Sequence, residues 1–334
     1  MILAYGFAFA VAALLIVIVR RYADRFGLVD IPNERSLHTD IVPRGAGIGF
    51  FLSFFLTSAL FYPSLLTGAP FTFVAIFAVF VVGILDDRHD TSPHTKFIVI
   101  FIGVFLLYLD GIYIGDLGYY WGVKLSLGWF ALPFTMFAVS GFTNALNLID
   151  GVDGLSSTVS MVILSAYAYI GYVHHDPFIW VCATLLLSVI AAFLIFNWHP
   201  ASVFMGDSGS LTLGFLISVI AIKSLAYVPT VSVLFLAALP ILDTLSVMIR
   251  RKKSGRSFFD PDKCHIHHVL LYYFNGRVRR TVLVLGGVQL SYSLIGLQLH
   301  DGVNEVWFLL FFLLNVIVLY RVMKSMTVRM KISC

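Results

Sequence analysis

Charge is what this 334-residue chain has least of: Asp, Glu, Lys and Arg make up 12% of it. A typical soluble domain carries about 25%, so the composition excludes that class. Glutamate occurs only at Glu34 and Glu305, neither near the histidine cluster described below, which argues against a zinc protease needing a Glu base. Three cysteines, Cys182, Cys264 and Cys334, have no framework spacing, and no disulfide scaffold is expected. The chain lacks an internal repeat and low-complexity tracts. Residues 1–19 lack a positive n-region and run into Arg20-Arg21, which reads as a retained first helix rather than a secretory signal.

Hydrophobicity is what the chain has in excess: 59% of residues are hydrophobic and the mean hydropathy is +0.93. This composition predicts an all-α integral membrane protein. Eleven apolar segments (2–19, 46–62, 71–85, 97–110, 129–146, 155–173, 178–196, 209–226, 230–249, 281–298 and 305–320) lie near the ~20 residues that a ~30 Å hydrocarbon core demands of a helix. The longest gap, residues 250–280, spans 31 residues, too few for a second globular domain. The expectation is one polytopic bundle over 1–334, with loops at 20–45, 86–96, 147–155, 197–208 and 250–280 on one side. The segment 111–128, rich in glycine and aromatics, fits a short interfacial hairpin or part of an aromatic belt.

Of 22 Lys and Arg, 20 fall in the loops 20–45, 86–96 and 250–280 and in the tail from Arg321; only Lys124 and Lys223 lie opposite. Basic residues in short loops mark the cytoplasmic face, which predicts an N-terminus outside and a C-terminus inside. The net charge of +4 follows from this sorting and calls for no nucleic-acid partner.

The rare polar residues gather on that same side. Asp86-Asp87 close an apolar run at the negative end of a helix dipole, and Lys96 opens the next run at a positive end. Each placement is unfavourable by ~0.3–1 kcal/mol, so a bound cation near the aspartates and an anionic ligand near Lys96 would account for both. Asn144 and Asn147 are three apart and share a helix face, while Asp150 follows at the lipid boundary, where unpaired polar groups are costly. Gly151 and Asp153 suit helix caps. Asp207, between Gly206 and Gly209, suits an N-cap as well as a ligand. His265, His267 and His268 lack zinc-ligand spacings and better fit phosphate or a base edge. Asp243 lies inside an apolar run, where a carboxylate serves either function or a neighbouring helix. Asp110, His174 and His175, on the outer side, read as interface polarity.

Asp and Asn oxygens without thiolates suit magnesium or manganese. With Lys96, the basic loops and the histidines, they imply a diphosphate substrate from the cytosol and a lipid partner. A transporter is the rival from another class, but its ionisable groups belong near the midplane on broken helices with repeats.

Together these residues resemble the polyprenyl-phosphate N-acetylhexosamine-1-phosphate transferases, bacterial enzymes that start O-antigen, teichoic acid and peptidoglycan lipid intermediates. The motifs are Leu28–Arg35 with His38, Pro43-Arg-Gly-Ala-Gly47, Leu85-Asp-Asp87 with Lys96, Asn144 to Leu155, Val203 to Ser210 and His265-Ile-His-His268. The resemblance implies transfer of an N-acetylhexosamine 1-phosphate, GlcNAc-1-phosphate first, from a UDP-sugar to undecaprenyl phosphate, with UMP released. It implies Asp207 and Asn147 as magnesium ligands, manganese being a substitute. Asp86, Asp87, Asp150 and Asp153 are the implied catalytic carboxylates, the first two near the lipid phosphate. Lys96, Asn144, His265, His267 and His268 would bind substrate. A bacterial inner-membrane location follows, and related enzymes are often dimeric. The single His-x-His-His element resembles the branch using simple UDP-N-acetylhexosamines more than the UDP-muramoyl-pentapeptide branch. Ala46 departs from the family's glycine-rich turn, and that turn also resembles a subgroup acting on dideoxy amino sugars.

Overall fold

The computed structural model describes residues 2–32, 41–257, 264–300, 304–330 and 332. Of the sequence motifs, Asn33, Glu34, Arg35 and His38 lie outside them, as does 258–263 of the histidine loop.

Helices dominate because no lipid-exposed backbone group can go without a partner, and a helix satisfies them all internally. In chain order they are α1 (Ile2–Phe26), α2 (Ala46–Phe61), α3 (Pro63–Gly68), α4 (Pro70–His89), α5 (Pro93–Leu109), α6 (Ala131–Ile149), α7 (Leu155–Val173), α8 (Pro177–Asn197), α9 (Asp207–Ser224), α10 (Thr230–Leu236), α11 (Ala238–Lys253), α12 (Ile266–Tyr273), α13 (Val278–Gln298) and α14 (Glu305–Met330). Among the described residues eight helices are long and apolar enough to cross a membrane. The pair α10–α11, bent by 86°, makes a ninth if it forms one span, and α2 and α5 are shorter apolar helices. By length and composition this accounts for eight or nine of the eleven expected spans; the other two apolar runs fall on α2 and α5, helices of 16 and 17 residues. The exterior carries many exposed large apolar side chains, among them Leu14, Phe77, Phe137 and Leu313, as a lipid-facing surface requires.

The bundle is organised around α9, which packs against α2, α4, α6, α7 and α8 and is buried on almost every face. Small residues make this possible, since membrane helices gain by close backbone approach. A Cβ on Gly47 of α2 would lie 2.1 Å from the Gly209 nitrogen, and one on Gly83 of α4 would lie 2.5 Å from the Ser208 Cα. Both α2 and α4 thus touch the first turn of α9 backbone to backbone.

Two small ladders flank the bundle. β1 (Val29–Asp30) pairs antiparallel with β2 (Val42–Pro43). β3 (Asp116–Tyr120) and β4 (Val123–Ser126) form the hairpin foreseen within 111–128. That hairpin is held by Glu305, which accepts the Tyr119 N–H (2.8 Å) and the Val231 N–H (3.0 Å). At the same end Asp110 accepts from the Thr72 backbone and hydroxyl (2.6 and 2.7 Å), capping α4. Cys264 is buried and disulfide-bonded, a tie that cysteine spacing does not signal.

Candidate active site

The site is built at the start of α9. The segment 203–205 docks on the turn that launches α2: the Phe204 N–H donates to Pro43 O (2.8 Å), and Ala46 and Gly47 donate to Phe204 O (3.1 Å) and Met205 O (3.0 Å). Gly45 takes the left-handed backbone there (φ +87°), while Ala46 is the first helical residue. A side chain is therefore tolerated at 46, and the turn keeps glycine where strain or contact requires it.

Asp87, on the last turns of α4, reaches this junction. Its two oxygens accept the backbone N–H groups of Asp207 (2.7 Å) and Ser208 (3.0 Å). The carboxylate caps α9 from another helix, favourable at a positive dipole end. Asp207, at the first position of α9, is consequently free to aim its own carboxylate elsewhere. It accepts from Asn147 Nδ2 (2.9 Å) and from the Lys96 ammonium, and Lys96 also lies 2.8 Å from Asp86 Oδ2. Asp86 accepts in addition from the Thr91 hydroxyl (2.7 Å), and Asn147 donates to Ser210 Oγ (2.8 Å). The two unfavourable dipole placements read from the sequence, Asp86 and Lys96, answer each other directly. The donor chemistry fits magnesium: Asp207 brings a carboxylate and Asn147 an amide to one point, beside the Asp86 carboxylate and the Lys96 ammonium. No cluster of three or more His, Cys, Asp or Glu is arranged as a metal cage among the described residues, and Mg²⁺ needs only one or two protein carboxylates, completed by phosphate and water.

Asp150 ends α6 and accepts from the Ser156 hydroxyl. Burial, opposed by that hydrogen bond and reinforced by the carboxylates of Asp207, Asp87 and Asp153, pushes its carboxyl up to about 7. The folded state thus favours the protonated form. Its stability falls as pH rises from the ordinary carboxylate value toward about 7, and the cost is constant above that. Asp150→Asn, which carries no charge to bury, is expected to raise the melting temperature of metal-free protein over wild type. The difference should widen from pH 5 to about pH 7 and hold level to pH 8; a difference independent of pH would refute the assignment.

Asp153 serves the neighbouring turn. It accepts the Ala201 N–H (3.0 Å) and lies 2.7 Å from His199 Nδ1. Asn197 accepts from Gly154 N–H (2.9 Å) and donates to Val203 O (3.0 Å), and Arg279 of α13 donates to His199 O. These bonds stitch the turn after α6 to the loop before α9. Asn144 lies one turn before Asn147 and is half-buried.

The histidines close the other flank. His267 is buried against Gly151, and among the described residues neither of its ring nitrogens finds a hydrogen-bond partner. Burial, with His268 and His265 adding to it, lowers its basicity well below that of an ordinary imidazole. The His267 ring lies 4.2 Å from that of His268 and 5.6 Å from that of His265. His265 Nδ1 stands 2.7 Å from Asp243 Oδ2.

The eleven site residues expected from sequence thus gather at one end of the bundle. Direct hydrogen bonds join Asp86, Lys96, Asn147 and Asp207, with Asp87 holding Asp207's backbone. Thr91, Ser156, Asn197, His199 and Ser210 were missed; as single polar residues beside stronger motifs they carry no pattern of their own. For Asp87 the geometry adds a task that the sequence reading did not contain, holding the backbone of α9. Asp153, expected to cap the next helix, instead accepts the Ala201 N–H, and Gly154 stands at the N-cap of α7 because Asp153 is turned toward the loop before α9.

Comparison with known proteins shows which family the chain is similar to. Residues 69–225, which include every direct partner of Asp207, match the model of glycosyl transferase family 4. A Bacillus subtilis protein described as a probable undecaprenyl-phosphate N-acetylglucosaminyl 1-phosphate transferase is 31% identical over 318 residues, covering 93% of this chain and 87% of its own. The undecaprenyl-phosphate alpha-N-acetylglucosaminyl 1-phosphate transferase of Yersinia pestis is also 31% identical, covering 93% and 89%. That of Escherichia coli O157:H7 is 29% identical, covering 92% and 87%. With relatives matched along nearly their whole length and the aspartate-lysine centre inside the matched region, the chain belongs to glycosyl transferase family 4.

Proposed function

We propose that this protein transfers N-acetylglucosamine 1-phosphate from UDP-N-acetylglucosamine to undecaprenyl phosphate, releasing UMP and leaving a diphosphate-linked lipid. The observation that carries the reading is the convergence of Asp86, Lys96, Asn147 and Asp207 from four helices at one end of an apolar bundle. The names of the relatives support the acceptor and the sugar. In this reading α2, α5 and the bent α10–α11 pair also cross the bilayer, giving eleven crossings. The N-terminus is outside and the C-terminus inside, and the site faces the cytoplasm of the bacterial inner membrane, as the basic-residue asymmetry supports.

The chemistry is phosphoryl transfer. A prenyl phosphate oxygen attacks the sugar-bearing phosphorus, a new P–O bond forms, and the bond to the UMP oxygen breaks with its electrons leaving on UMP. A phosphate monoester has a second pKa near ~6 and is largely dianionic at neutral pH, so the attack needs no strong base, and direct attack is the route preferred over an aspartyl-phosphate intermediate. Asp207 and Asn147 would hold Mg²⁺, or Mn²⁺ as a substitute, and an ion there would supply charge neutralisation for the diphosphate. Asp87 fixes where Asp207 stands by holding its backbone. Lys96 offers its ammonium to a donor phosphate while staying beside Asp86, which lies toward the lipid phosphate. Asp150, whose carboxyl burial pushes up to about 7 in the metal-free protein, adds less negative charge to the site than an ordinary carboxylate would. Asn144 and Asp153 flank the nucleotide end, and the histidines contact phosphate.

Product identification tests this. Purified protein with undecaprenyl phosphate, UDP-N-acetylglucosamine and Mg²⁺ is expected to release UMP and to stop on EDTA addition, resuming with excess Mg²⁺. UDP as the nucleotide product would identify transfer of the sugar alone, and uptake without nucleotide release would favour a transporter; either result overturns the reading.

A further inference from the structure

Asp243 stands apart from the aspartates above. It is 1% exposed, sits in α11, and has both oxygens engaged by the segment that carries the histidines. Oδ1 accepts the Ile266 N–H at 2.8 Å, capping α12, and Oδ2 lies 2.7 Å from His265 Nδ1. The helix behind it is pinned. At the break between α10 and α11, Gln289 of α13 accepts the Leu239 N–H (2.9 Å) and donates to Leu236 O (2.8 Å), satisfying groups that the bend frees. Asp243 follows one turn later, so its carboxylate is fixed relative to the bundle.

We propose that Asp243 is a positioning residue that acts through His265, fixing its ring and hydrogen position so that Nε2 is presented to the donor diphosphate. This rests on the phosphosugar-transfer reading above. The warrant is elementary. An ionised carboxylate only accepts hydrogen bonds, so Nδ1 must carry hydrogen in either charge state of the ring. Nε2, on the far side of the imidazole, is left for a ligand. Capping alone would need one oxygen; the second oxygen is spent on the ring. His265 is itself 4% exposed, and a nearly buried imidazole with one nitrogen tied has little freedom to find its orientation otherwise. Carboxylates that orient metal-bound histidines in this way are typically worth ~10–100-fold in affinity or activity, and the same order is expected for a phosphate-binding one.

Asp243→Asn separates the two tasks. The amide oxygen can still accept from the Ile266 N–H, so the cap and the volume persist, but the obligate acceptor beside Nδ1 is lost. The expected result in UMP release is a fall in kcat/KM of at least about tenfold, with the KM for UDP-N-acetylglucosamine raised. The KM for undecaprenyl phosphate and the melting temperature should stay near wild type. His265→Ala should lose at least as much, and the double variant should be no worse than His265→Ala alone, because residues acting as a unit are not additive. The proposal is overturned if Asp243→Asn keeps wild-type kinetics, if both KM values move together, or if the double variant loses the product of the two single effects. If wild type itself releases no UMP, it is the transfer reading that fails. In that event nitrogen-resolved NMR of His265, labelled in the full-length protein, still decides the pairing: a hydrogen fixed on Nδ1 in wild type and mobile in Asp243→Asn supports it, and identical spectra overturn it.

Discussion

Asp207→Asn is expected to lower turnover on the order of a thousandfold, comparable to removing one preorganised electrostatic partner from a reacting group. The same variant should fold. The backbone of α9 is held by Asp87, not by the side chain of Asp207, and asparagine retains an oxygen for Asn147 and the shape of the site. The carboxylates of Asp86 and Asp207 share one ammonium, so neutralising one relieves repulsion, and the melting temperature should be no lower than wild type. Rate and stability then move independently, as expected where a site holds like charges together for function. UMP release per mole of monodisperse protein, read beside thermal unfolding, checks both; a variant within tenfold of wild type would remove Asp207 from the mechanism.

The second large effect is structural. Gly47→Ala would place a methyl 2.1 Å from the Gly209 nitrogen and 2.3 Å from its Cα, and backbone cannot swing aside as a side chain can. The helices α2 and α9 must separate, and the cost should reach about 3 kcal/mol or more, at the upper end for overpacked cores. Because the Gly47 N–H also holds Met205 O, the loop that delivers Asp207 shifts with it, and activity should vanish with the fold. The neighbouring substitution Ala46→Gly provides the contrast. Position 46 is ordinary helix, so it should cost only about 1 kcal/mol of helix propensity. Thermal unfolding in detergent would compare the two; equal effects at 46 and 47 would mean that the contact of α2 with α9 is not as described.

These two residues illustrate how differently parts of the molecule are written in the chain. Asp207 was legible through its motif: alone, a carboxylate between glycines at the start of an apolar run suits an N-cap as well as a ligand, and the family resemblance implied the metal. Gly47 was legible only as part of a motif; that it meets Gly209, 162 residues away, depends on which helices become neighbours. The same holds for Ala46, whose departure from the glycine-rich turn pointed to an altered shape. The structure shows α2 beginning there without strain. The eleven apolar runs were visible, but not that α2 and α5 would be shorter apolar helices of 16 and 17 residues or that α10–α11 breaks by 86°. Hydropathy reports how apolar a run is and says nothing of where a turn interrupts it.

What the sequence determined by itself is the medium, the helical class and the side on which rare polar groups collect. Those follow from composition and spacing, since lipid penalises any polar group that is not at an end or in company. What only the tertiary structure decided is the division of labour among the aspartates: Asp87 on the backbone of α9, Asp86 and Asp207 on Lys96, Asp153 on the loop at His199, Asp243 on His265. A carboxylate's partner is set within about 3 Å, and that distance is fixed by the packing of helices far apart in the chain, which local pattern does not encode.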